Sequence, residues 1–349
     1  MTTTTTVYRE PRSVRPALPA ARGVLSGEVI SALASGRSEL SCFASVPEAE
    51  PYGDDLQLAL YVLYELHYQG FADVDDDREW DPELLRLRGA LERRFLDALR
   101  SDSAPVTSAD EALAGLLVEP VVADDEDAGV SHHLQRNGSL EQVREYAALR
   151  SLYHLKEADP HAWVLPRLYG RAKAAMAAIE FDEFGAGRAL NVHARLYADL
   201  MQDLGLDTGY GHYLDAAPAA VLATVNQMSL FGLHRGLRGA LVGHFAAVEV
   251  TSSPGSRRLA QAMRRTGAGP AAERFYDEHV EADAVHEQVV RREVIGGLLA
   301  DEPHLEADIA FGIESTNFLE DRLGALLLDA WRNDRTALRT PLHPVTPTP

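Results

Sequence analysis

Apolar residues recur three and four positions apart along most of this chain, the period of a helix that buries one face. Residues 54–70 (DDLQLALYVLYELHYQG) form such a stripe, with acids at its start, where the helix dipole favours them, and Gly at its end. Asp81-Pro82 opens a second stripe, PELLRLRGALERRFLDALR, with Pro in the first turn where its missing N–H is not needed. Further helices are predicted from Val24, over 108–117, and from the capping box of Ser139 and Gln142 to about 158, where Asp159-Pro160 stops the run. The same period continues over 167–184, 188–204, 218–236, 237–250, 256–265, 275–292 and 303–331. Strand alternation is almost absent. Long helices with short loops predict an all-α antiparallel bundle of about seven helices with an N-terminal helical extension.

Punctuation divides the chain. Residues 1–23 are rich in Thr, Pro and Arg and are expected to be disordered, as is the tail over 336–349. Residues 24–122 form an accessory helical region whose stripes, such as LQLALYVLYEL, must be covered, which predicts a homodimer interface. Residues 123–138 (ADDEDAGVSHHLQRNG) are the expected acidic linker, and 139–335 the bundle domain.

Composition narrows the function classes. Of 349 residues, 46% are hydrophobic, so the chain can bury a substantial core. A net charge of −20 disfavours nucleic acid and anionic membrane surfaces as partners. Cys42 is the only cysteine, which excludes an intrachain disulfide and a Cys-based metal site. No apolar run is long enough to span a bilayer and the N-terminus lacks a signal-peptide core, so a cytoplasmic protein is expected.

The chemistry concentrates in FYDEHVEADAVHEQVVRR, over 275–292. His279, Asp283 and His286 stand at i, i+4 and i+7, within roughly 60° of one another on a helix, so one face presents two imidazoles and a carboxylate. Such a set suits Fe, Mn or Zn and leaves positions open for other helices. The competing reading is a solvated charged face carrying incidental histidines. Other helices offer completing groups. Glu157 stands at a helix C-terminus, where the dipole disfavours an acid unless a cation is bound. Glu183, in IEFDEFGAGR, and His193, in ALNVHARLYADL, are separated by glycines that could swing both inward. Three carboxylates and three imidazoles fit a dinuclear iron or manganese site better than a single zinc. A ferritin-like site needs Glu-x-x-His pairs, and the chain has none. A haem reading, with His154 or His234 axial, leaves the acids unexplained.

The segments LKEADPH, DEFGAGRALNVHARLY and DEHVEADAVHE, with LATVNQMSLFGLHRGLRGALVGHFAAVEVTSS between them, resemble the haem-oxygenase-like di-iron oxidases, often described as iron-containing redox enzymes. The resemblance runs over about 139–331, and ELHYQGF near Glu65 extends it into the N-terminal part. It implies that Glu157, Glu183, His193, His279, Asp283 and His286 hold two Fe(II) ions, with Mn as a second candidate. It further implies reaction with O2 and oxidation of a small amine- or carboxylate-bearing molecule by N-oxygenation, oxidative decarboxylation or C–C cleavage. Some relatives carry another Glu one turn before the second-helix His, where this chain has Leu190, which predicts a weakly held second iron. The alternatives are a metal-free enzyme or a metabolite-binding protein on the same fold. Asn226, Ser229, Arg238, His244 and Tyr276 stand out as polar residues near the ligand-bearing segments and are the candidate substrate contacts.

Overall fold

A computed structural model describes residues 15–116 and 129–342, apart from the side chains of 281–284. Every regular element among the described residues is helical, as the periodicity predicts. The N-terminal part comprises α1 (Val24–Ser35), α2 (Asp54–Glu65), α3 (Pro82–Asp102) and α4 (Ala109–Leu116). Then follow α5 (Val130–Arg136), α6 (Leu140–His154), the short α7 (Asp159–Ala162), α8 (Gly170–Glu183) and α9 (His193–Asp203). The chain ends with α10 (Ala219–Leu233), α11 (Arg238–Thr266), α12 (Pro270–Val289), α13 (Gly296–Asp301) and α14 (Glu306–Arg332).

The starts follow the expected chemistry. Ser139 Oγ accepts from the Gln142 amide at 3.2 Å while Gln142 Oε1 accepts from the Ser139 amide at 3.0 Å, a closed capping box. Asp81 Oδ1 accepts from the amides of Glu83 at 2.9 Å and Leu84 at 3.2 Å, with Pro82 in the first turn.

The centre of the bundle is α11, which packs along both α12 and α14; α9 covers α12, and α8 lies against a π-helical turn, Val290–Ile295, that continues α12. A Cβ on Gly243 of α11 would collide with the carbonyl of Ile309, and one on Gly312 of α14 with that of Ala240. The two long helices therefore cross backbone to backbone, and only glycine fits at either position.

Several expectations are corrected here. Helices predicted over 237–250 and 256–265 are one, α11, which carries Pro254 inside it. The proline removes one backbone bond, but α11 packs extensively on α12 and α14 and stays continuous. The polar stretch expected to link two domains contains α5, packed on α11; its part over 123–128 lies outside the described residues. Residues 15–23 and 336–342, expected to be disordered, are packed. Arg22 Nη2 donates to the Leu214 carbonyl at 2.7 Å, and Glu145 takes hydrogen bonds from Thr336 and Ala337 at 2.7 and 2.8 Å. The accessory region shares one core with the bundle: α2 lies on α10 and α4 on α14. All of α2 from Leu56 to Glu65 is buried within the chain, so its stripe does not call for a second copy to cover it. No helix among the described residues is long and apolar enough to cross a membrane.

Candidate metal centre

Two groups of buried ligand atoms form where α6, α8, α9, α11 and α12 converge. Glu157, Glu183, His193 and His279 make one; Glu183, Glu249 and His286 make the other, with ligand atoms in each group within 4.8 Å of one another. Glu183 belongs to both.

Each side chain arrives by a local device. Glu157 lies in the turn that follows α6, and the next residue, Ala158, takes a φ of 75°, a left-handed conformation rare outside glycine that turns the chain sharply into α7. Glu183 closes α8 and His193 opens α9, so the two are on separate helices rather than one kinked helix. The turn between them depends on Gly185, at φ 75°, where a Cβ would lie 2.6 Å from the Val192 amide nitrogen. That tight reversal brings His193 Nδ1 to 2.7 Å from Glu183 Oε2. On α12, His279 Nδ1–H donates to the Phe275 carbonyl at 2.7 Å, which fixes the tautomer and leaves Nε2 buried with no hydrogen-bond partner. That nitrogen lies 3.9 Å from Glu157 Oε1. His286 Nδ1 is 3.3 Å from Glu249 Oε2 and 3.8 Å from Glu183 Oε1.

The electrostatics match a cation site. Burial works against ionisation of Glu157, but a 2.9 Å contact with His154, together with His279 and His193, outweighs it and holds the carboxyl below its ordinary range. Burial also pulls His286 down, yet Glu249 and Glu183 overcome it and raise the imidazole to about 9. The acids around His286 thus favour its imidazolium form. Glu180, one turn before Glu183, is pushed up to about 9 by burial first and then by the charges of Glu183 and Glu249.

Five of the six expected ligands come together; the side chain of Asp283 lies outside the described residues. Leu190 is 64% exposed in a short 3-10 turn, Ala189–Asn191, that precedes α9, so the position one helical turn before His193 does not exist on α9, and the second group takes its acid from elsewhere. That acid, Glu249, was missed, although an acid inside the apolar run GALVGHFAAVEV is a legible signal.

A cavity of about 750 Å³ opens beside Glu157, Glu183, Glu249 and His279. Tyr276 lines it, buried, its hydroxyl without a partner. The other candidate substrate contacts do not reach it. Asn226 donates to the Gln57 carbonyl and side chain, both at 2.8 Å; Ser229 bonds Tyr68 at 3.0 Å; Arg238 pairs with Glu302; His244 Nδ1 meets Thr316 at 2.8 Å. These are polar anchors between packed helices. The residues missed were Arg150 and Glu320, which face the cavity as a two-point ion pair at 2.8 and 2.5 Å, and His161, buried with Nε2 unpartnered.

The donor set fits iron: anionic oxygens and neutral imidazoles, two of their atoms (Glu157 Oε2 and His279 Nε2) buried without any hydrogen bond. Residues 144–321 match a family described as iron-containing redox enzymes, which covers the ligand-bearing helices from α6 to α14. No curated protein matches the chain.

Proposed function

The chain belongs to the iron-containing redox enzyme family, with the haem-oxygenase-like all-α fold, and from that premise we propose that it is an O2-activating non-haem di-iron oxidase or oxygenase of a small metabolite. The observation that carries two metals rather than one is Glu183. A carboxylate shared by two ligand groups is the arrangement that bridges a metal pair.

Bound Fe(II) would supply the electrons for reducing O2. The chain's own residues do the rest. His279 is held with Nε2 toward the site by its bond to the Phe275 carbonyl, and Glu157 is kept anionic. Met228, Phe245, Leu259 and Phe275 give the cavity apolar walls that limit water. Arg150 and Glu320 offer both signs of charge at one wall, so a molecule bearing a carboxylate and an amine can exchange into the pair, the carboxylate to the guanidinium and the ammonium to Glu320. Tyr276 and His161 supply hydrogen-bonding groups to the same space.

Anaerobic loading should give two irons per chain, and exposure to O2 should then consume the gas. His279→Ala should lose the iron of the first group and the O2 uptake while circular dichroism stays helical. A wild-type protein that binds one iron or none, or a variant with full iron content, overturns this reading.

A further inference from the structure

Glu180 is the buried acid that the two ligand groups leave unused. It is 2% exposed, and neither carboxylate oxygen has a hydrogen-bond partner among the described residues. A buried polar group without a hydrogen bond loses its solvation for nothing in return, so such groups are rare unless a further ligand satisfies them. Glu180 stands three residues before Glu183 on α8, and side chains at that spacing lie on one helical face. The charges acting on it are those of Glu183, Glu249 and Asp159, all acids. None of those groups is a cation, and Lys156, the buried lysine nearest in sequence, is paired with Glu65.

The two groups are unequal. The first has four protein ligands, two of them imidazoles; the second has three, with one imidazole. Among the described side chains a second metal would have only Glu183, Glu249 and His286, and the unsatisfied buried carboxylate next to Glu183 on α8 is Glu180. We infer that Glu180 is a ligand of the second metal, which makes that position richer in carboxylate than the first and gives it an oxygen donor that the exposed residue 190 does not provide.

The assignment rests on the proposed metal pair, and the test separates the two. Mn(II), a redox-silent probe, is titrated into the apo full-length protein by calorimetry, with electron paramagnetic resonance to report exchange coupling between two occupied positions. Wild type should take two equivalents and show a coupled pair. Glu180→Gln keeps the shape and removes the charge. It should bind the first equivalent with unchanged Kd, weaken the second by ten- to a hundred-fold, and lose the coupled signal. Glu180→Asp, which retracts the carboxylate by one methylene, should show the same loss of the second equivalent and serves if the amide variant folds poorly. If wild type binds fewer than two equivalents, the metal pair fails and this assignment with it. If wild type binds two and both variants bind two with unchanged affinity, Glu180 is not a ligand, and the pair stands.

Discussion

Whether Glu183 and His193 can meet is decided at Gly185. A φ of 75° and a Val192 amide 2.6 Å from any added Cβ leave no room for a side chain, and the obstacle is backbone. Gly185→Ala should therefore cost about 2 kcal/mol or more in strain and displacement. The expected result is a lower Tm together with weaker metal binding at the first group; a variant unchanged in both would show that the turn yields without moving the ligands. Individual residues were legible in the sequence where they broke a pattern, as Glu157 did at a helix end and His193 on an apolar face. The same signal also picked out Asn226, Ser229 and His244, which turn out to bond Gln57, Tyr68 and Thr316. A polar residue on an apolar face announces that it needs a partner. It does not say whether the partner is a metal, a substrate or another helix, and that is why Glu249 went unread while Asn226 was chosen.

Among the elements, the connection between α2 and the end of α6 bears most directly on the site. Lys156, next to the candidate ligand Glu157, is 3% exposed and reaches Glu65 of α2 at 2.5 Å, with the rings of Tyr61, Tyr68 and Tyr210 around its ammonium. Tyr210 also donates to Glu65 at 3.0 Å. Breaking one half of a buried pair strands the other charge, so Glu65→Gln should destabilise the protein by about 3–5 kcal/mol. It should also loosen Glu157 and weaken the first metal equivalent. The double variant Glu65→Leu with Lys156→Met should recover most of the stability, and failure to recover it would point to the tyrosines rather than the charges as the anchor. Helix existence was legible from periodicity and capping nearly everywhere. Helix continuity was not. The gap expected between 250 and 256 holds Pro254, yet α11 runs through it and packs on both α12 and α14. The acidic run read as a linker hid α5 because seven residues with Leu134 as their one fully buried side chain carry too little periodicity to notice.

At the scale of the whole molecule, the N-terminal helices are part of the same core as those that carry the candidate metal centre. A fragment beginning at residue 129 would expose the face of α10 that α2 covers, where Asn226 bonds Gln57 and Ser229 bonds Tyr68. Such a fragment should not unfold cooperatively and should aggregate, while the full chain melts in one transition; a fragment with a sharp melt and two bound metals would show that the bundle is self-sufficient. The division into accessory region and bundle followed a change of composition, and composition does not reveal which faces meet. The long reach of these contacts has a consequence during synthesis. Gln57 and its partner Asn226 are 169 residues apart, so at roughly 5–20 residues per second α2 leaves the ribosome roughly ten to thirty seconds before the helix that covers it exists. For that interval α1 and α3 can already pack on LQLALYVLYEL, but the side that α10 covers is open on the nascent chain. Soluble yield in a foreign host should therefore respond more to chaperone supply and growth temperature than to the amount of iron in the medium.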